Sequence, residues 1–214
     1  LGVPRFLVVL DVDSTLIENE VIELLAEENG TLDLVASITA DAMNGLLDFE
    51  ASLRARVAAL QGLTSSDFEL VRSRIQITAG VPEMIAGVHA AGGKVGVVSG
   101  GFHEVIDPIA QSLGLDYWRA NRFELEDGVH LTGLAGPIID AEAKASTLRE
   151  WADDFGIPLG QTVAVGDGAN DLRMMAICGL AVGFDAKAPV RDVANVIMDR
   201  RDLSQLLPLL GLRG

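Results

Sequence analysis

Short runs that are apolar throughout alternate along this chain with stretches of helical period. Phe6-Leu7-Val8-Val9-Leu10 contains no polar residue, the mark of a strand buried on both faces of a parallel sheet. Val95-Gly96-Val97-Val98, Thr162-Val163-Ala164-Val165 and Leu180-Ala181-Val182-Gly183 repeat the pattern. Helical spacing follows the second run to about Leu113 and returns from about Ala141 to Phe155. Strands alternating with helices in this way predict an α/β fold, a doubly wound parallel sheet of Rossmann-like type. Between Tyr117 and Gly136, β-prone runs flank Asp127-Gly128, which predicts a hairpin.

Residues 17–77 depart from this alternation. Helical period holds from about Glu20 to Asn29, stops at Gly30 and resumes to about Ile77. Ala36, Ile38, Ala42, Leu46, Leu47, Phe49, Leu53, Val57, Leu60, Phe68, Val71 and Ile75 recur at helical spacing, predicting a small helical bundle with these residues as its buried stripes. The expected organisation is a core of residues 1–16 and 78–214 interrupted by a helical insertion, 17–77. Leaving from the loop after the first strand, the insertion would overhang the strand ends as a lid. Gly211–Gly214 is expected to fray.

Composition narrows the possible partners. The chain has 214 residues, 22% of them charged, with a formal net charge of -15. That charge opposes nucleic-acid phosphates and anionic lipid, and no apolar run approaches the roughly 18 residues of a membrane span. A small anionic substrate would need a bound cation and a few placed basic side chains. Cys178 is the single cysteine, so no disulfide or thiolate metal site is expected and a cytoplasmic location is. Between Ile177 and Gly179 it reads as an inert core residue. The chain opens on Leu1 instead of Met, which leaves room for a longer parent with an N-terminal domain.

Candidate chemistry gathers where strands end, the place at which open α/β sheets bind ligands. Asp11-Val12-Asp13-Ser14-Thr15-Leu16 follows the first strand, and Gly166-Asp167-Gly168-Ala169-Asn170-Asp171 follows the third apolar run. Turn and cap preferences explain one such loop readily, but two at matching strand ends poorly. Carboxylates crowded together repel unless a proton or cation intervenes, and an all-oxygen set suits Mg²⁺. Ser99-Gly100-Gly101, also after a strand, offers a hydroxyl and N–H groups to an anion at the start of the next helix, although taken alone a plain N-cap is the default reading. Of the three lysines, Lys94 lies at the wrong edge, Lys187 follows the last apolar run, and Lys144 opens a helix, where a cation is misplaced unless an anion is near.

Together these motifs resemble the haloacid dehalogenase superfamily of phosphatases and phosphotransferases, in order, spacing and strand context, over essentially the whole chain. Within it the chain is most similar to the phosphoserine phosphatases, on Asp13-Ser14-Thr15-Leu16 with Glu20 shortly after, Ser99-Gly100-Gly101-Phe102 and the Asp167–Asp171 loop. The resemblance implies Asp11 as nucleophile and Asp13 as acid and base. It implies Mg²⁺ held by Asp11, Asp167 and the Asp13 carbonyl, with Asp171 and Asn170 in support. Lys144, Ser99 and Gly100 would stabilise the phosphoryl oxygens. Glu20 would take a substrate ammonium and Arg56 its carboxylate, with Met43 and Phe49 as apolar closure. Arg56 also fits a solvated helix face, and Met43 and Phe49 an ordinary apolar stripe. The implied reaction releases serine from phosphoserine, the last step of serine biosynthesis. Transfer of the phosphoryl group to an acceptor such as homoserine, hydrolysis of another small ester, and a non-catalytic phosphoserine-binding module are the alternatives.

His103-Glu104 lacks the second histidine of a zinc helix, since Asp107 stands four residues on. His103 therefore reads as structural, and His89 and His130 as surface residues.

Overall fold

The computed structural model describes residues 5–214. Seven strands form one sheet in the order β4-β3-β2-β1-β5-β6-β7. In chain order the elements are β1 (Leu7–Leu10), α1 (Val21–Glu28), α2 (Leu32–Met43), α3 (Phe49–Ala58), α4 (Ser65–Arg74), α5 (Val81–Ala90), β2 (Lys94–Phe102), α6 (His103–Leu113), β3 (Tyr117–Glu126), β4 (His130–Ala135), α7 (Ala141–Phe155), β5 (Thr162–Gly166), α8 (Leu172–Ile177), β6 (Leu180–Phe184), α9 (Ala188–Arg191), β7 (Val196–Met198) and α10 (Leu206–Leu209). All neighbouring strands pair in parallel except the β3–β4 hairpin, whose turn carries Asp127 and Gly128 at positive φ.

The first strand in sequence is the central one. Leu10 is level with Val97 of β2 and Val165 of β5, so the loops after all three strands open at the same edge. Side chains of β1 alternate between two cores, as strand geometry requires. Val8 and Leu10 join α1, α4, α5 and α6 on one face, while Leu7 and Val9 join α7 and α8 on the other.

Helices α1–α4 occupy the stretch expected to be helical, and their buried residues Val35, Leu53, Val57, Leu60, Phe68 and Val71 belong to the same core as the first sheet face. Phe68 of α4 stacks on Phe123 of β3 at 5.3 Å, and Phe123 on Phe102 of β2 at 4.1 Å. The stripe expected to be buried is only partly so. Ala36, Leu46 and Phe49 are exposed, Leu46 to 72%; Ala36 faces a groove between α1 and α2 and Phe49 the cavity at the strand ends. The tail also differs from expectation: Leu212 N donates to Leu207 O and its side chain packs on the core, so the end is docked.

Two strands of backbone join α1–α4 to the sheet side by side. Ile17 and Ile77 form an antiparallel bridge, Glu18 N donates to Gln76 O, and Thr78 N to Leu16 O. Gly80 follows with φ +81, and a Cβ there would lie 2.1 Å from Asp202 Oδ1, so both conformation and space require glycine.

Phe123 links α4 to the sheet, so Phe123→Ala is expected to cost roughly 3–5 kcal/mol, read from the urea midpoint at unchanged m-value.

Candidate active site

The loop after β1 folds back tightly: Leu16 N donates to Asp11 O and Ile17 N to Val12 O. The turn forces Ser14 into the left-handed region, φ 57 and ψ 12, at a cost of roughly 1–3 kcal/mol for a residue with a Cβ. In return Ser14 Oγ donates to Glu20 Oε1 at 2.6 Å, and Asp13 Oδ1 accepts from Val21 N at 3.1 Å. Val12 is buried in the core.

Lys144 is fully buried in the first turns of α7 and donates to Asp11 Oδ1 and Asp171 Oδ1, each at 2.9 Å. The anion demanded by a cation at a helix start is present twice over. Asp171 Oδ2 accepts from the Asp167 and Gly168 N–H groups, so both its oxygens are engaged. Asp11 Oδ1 also accepts from Val12 N, and Asp167 stands within reach of the Asp11 carboxyl. Carboxylate oxygens of Asp11, Asp167 and Asp171 lie within 4.8 Å of one another. Such a crowd of buried hard oxygen donors fits a divalent cation.

Electrostatics show the same crowding. Burial raises the Asp11 pKa to about 6, helped by Asp167 and opposed by Lys144. Burial and Asp11 raise Asp171 to about 6 against Lys144. Asp13 is raised well above its ordinary value by burial, then by Glu20 and Asp11. Burial alone would lower Lys144, but its two carboxylate partners prevail and hold it above its ordinary value.

β2 runs on to Phe102 through a bulge, its pairing with β3 jumping from Val98–Arg119 to Phe102–Asn121. Ser99 therefore does not cap a helix, because α6 begins only at His103. Buried Ser99 Oγ accepts from Gly101 N, leaving its own hydrogen to donate. Buried Asn121 holds the bulge, donating to Gly100 O at 3.0 Å and accepting from Ile139 N. Asn121 lies in no motif, and nothing local in the sequence signals it.

Asp11, Asp13, Glu20, Phe49, Arg56, Gly100, Asp167, Asn170 and Lys187 line one cavity of about 140 Å³, with Ile22, Leu53, Gly101 and Gly168. Burial lowers the Arg56 pKa while Glu20 and Asp13 raise it, which places this guanidinium among the acids and not on a solvated face. Met43 is the exception. It is 84% exposed at the end of α2 and lines a neighbouring groove between α1 and α2 that shares Glu20, Ile22 and Arg56 with this cavity. Lys187 does enter, 3.6 Å from Asp167. A larger cavity of about 590 Å³ outside α7 and α8 shares no residue with this one.

Two of the three histidines are occupied elsewhere. His103 bridges Asp107 and the Ala120 N–H, and His89 binds Asp116. Half-buried Cys178 donates to Met175 O, and burial raises its thiol pKa. Among the described residues no helix is long and apolar enough to cross a membrane.

A model of the haloacid dehalogenase-like hydrolase family matches residues 8–176. The chain belongs to that family. It is 50% identical over 207 residues to a phosphoserine phosphatase of Streptomyces coelicolor, covering 96% of this chain and half the length of that protein. A phosphoserine phosphatase of Lactococcus lactis is 46% identical over 202 residues, covering 94% of this chain and 93% of the relative. Among solved structures, a phospho-aspartyl intermediate analogue of phosphoserine phosphatase superposes with a TM-score of 0.88 at 40% identity, covering 96% and 99% of the two chains.

Lys144→Met tests the central ion pair. Asp11 and Asp171 hold protons more tightly folded than unfolded between the ordinary carboxylate pKa and about 6. The stability those protons provide is full at low pH and lost as the pH rises through about 6. Without Lys144, two buried carboxylates must ionise alone at pH 8. The variant is expected to lose roughly 3–5 kcal/mol there and distinctly less at pH 5, by urea unfolding of the metal-free protein.

Proposed function

We propose that this protein is a Mg²⁺-dependent phosphoserine phosphatase that hydrolyses O-phospho-L-serine through an aspartyl-phosphate. The observation that carries the proposal is one cavity lined by Asp11, by Asp13, whose pKa burial and the neighbouring acids raise, and by Glu20 and Arg56. An acid and a base within one small space match the ammonium and carboxylate of an amino acid, and the names of the relatives agree with that match. Residues 17–77 act in this reading as a cap and carry both substrate-selecting residues.

In the first step a carboxylate oxygen of Asp11 attacks phosphorus, the phosphorus–oxygen bond to serine breaks, and Asp13 gives its proton to the departing oxygen. With Asp13 Oδ1 already accepting from Val21 N, the proton belongs on the other oxygen. Water then attacks the same phosphorus, Asp13 takes its proton, and phosphate leaves with Asp11 restored. Lys144, the Ser99 hydroxyl and the Gly100 N–H receive the phosphoryl oxygens. Asp11, Asp167 and the Asp13 carbonyl would hold Mg²⁺, which supplies positive charge against the phosphate when bound. Asp171 is committed to Lys144 and two backbone N–H groups and supports that set with Asn170. We place the reaction in the cytoplasm, given the single reduced cysteine, where it would complete serine biosynthesis.

The test is phosphate release from L-phosphoserine with Mg²⁺ and with EDTA. Turnover is expected only with the metal and only with Asp11 intact, Asp11→Asn abolishing it. Glu20→Gln and Arg56→Lys are expected to raise KM for phosphoserine roughly ten-fold or more while sparing ethyl phosphate, which has neither charged group. Equal losses on both esters would remove phosphoserine as the substrate. Conversion of added homoserine to its phosphate ester would make the enzyme a transferase, and Mg²⁺-dependent binding without release a sensor.

A further inference from the structure

Three non-glycine residues of the described chain have positive φ: Ser14, Asp127 and Asp185. Asp127 belongs to the β3–β4 turn. The other two meet at one side chain. Arg201 donates from both Nη1 and Nη2 to the Ser14 carbonyl, each at 3.1 Å, and from Nη1 to Asp185 Oδ2 at 3.3 Å. Its Nε donates to Glu18 Oε2 at 2.6 Å, and the guanidinium lies over the Phe184 ring at 4.9 Å. The planar fork is thus engaged by the carbonyl and two carboxylates and backed by an aromatic face.

We propose that Arg201 is a positioning residue that locks Ser14 in its left-handed conformation and, through the Ser14 hydroxyl, aims Glu20 into the cavity. The inference rests on the assignment of Glu20 as the ammonium ligand. A glycine at position 14 would adopt φ 57 freely, but it has no hydroxyl for Glu20. Serine supplies the hydroxyl, and the conformation it resists must then be held from outside. Ser14 N is tied to Asn19 O, and its carbonyl is tied to Arg201 alone among the side chains described. The chain of contact runs from Arg201 to Ser14 O, then from Ser14 Oγ to Glu20 Oε1. The same segment also grips the returning crossing, Leu203 N donating to Ala79 O. Arg201 makes no hydrogen bond to Asp11, Asp13 or Lys144, and its link to the cavity runs through Ser14 and Glu20.

The test uses Arg201→Met and Arg201→Lys in the full chain with Mg²⁺, comparing phosphoserine with 3-phosphoglycerate, which replaces the ammonium with a hydroxyl. Arg201→Met is expected to raise KM for phosphoserine roughly ten-fold with kcat within about two-fold, leave 3-phosphoglycerate unaffected, and be partly rescued by lysine. In a Ser14→Ala background the effect of Arg201→Met should largely disappear, because the two act in series. Equal losses on both esters, a loss in kcat alone, or effects that multiply with Ser14→Ala would overturn the proposal. Amide exchange at Ser14 and Val21, measured without substrate, reads the clamp separately. Faster exchange in Arg201→Met, in an enzyme indifferent to phosphoserine, would sink the substrate assignment and keep the clamp. Unchanged exchange would sink the clamp whatever the kinetics.

Discussion

An ammonium group with no access to water sits between two carboxylates, and the arrangement around it follows from what that burial costs. Moving one ion out of water costs several kcal/mol even after relaxation, so Lys144 is tolerable only because Asp11 and Asp171 both accept from it. The ammonium in turn opposes the burial that raises the pKa of both acids. To bring the three together, β1 must lie beside β5, and α7 must start over their carboxyl ends. The excess of carboxyl groups that remains, with Asp13, Asp167 and Glu20 all near, can be relieved by a proton or by a divalent cation. Both reliefs are useful to a phosphatase.

In the proposed function, recognition and chemistry reside on different parts of the chain. The carboxylates, Lys144 and the bulge after Val98 belong to strands and to a helix braced by the sheet. Glu20 and Arg56 belong to α1–α4 or to its approach. The two are coupled at the paired crossings near residues 17 and 78 and at the Phe68–Phe123–Phe102 stack. The far end of the cap, with Met43, Leu46 and Phe49 exposed, is free of such ties.

Much of this was legible in the sequence, and the parts that were not share a cause. Strands announced themselves because burial on both faces leaves no charged position in β1 or β5. The two acidic loops were legible because strand, turn and acid are neighbours in sequence, and Lys144 because its place at a helix start contradicts the local dipole. Asn121 and Arg201 leave no such mark: an ordinary asparagine in a strand and an arginine in a C-terminal turn acquire roles only through partners far along the chain. The buried stripe was misread at Ala36, Leu46 and Phe49 because helical period tells which residues share a face, not whether anything covers it.

The central position of β1 has a consequence for how the molecule is made. Its partners are β2 and β5, and the Asp11–Lys144 contact spans 133 residues of chain. As the chain leaves the ribosome, one edge of this apolar strand waits for β2 and the other for β5, roughly three quarters of the way along the chain, a long exposure for a segment prone to pair with whatever edge is offered. The dependence on such distant contacts favours slow, late closure of the sheet. Until then, the carboxylates of the first loop remain hydrated and ordinary, so a truncated or half-made chain carries the acids without the environment that gives them their reactivity.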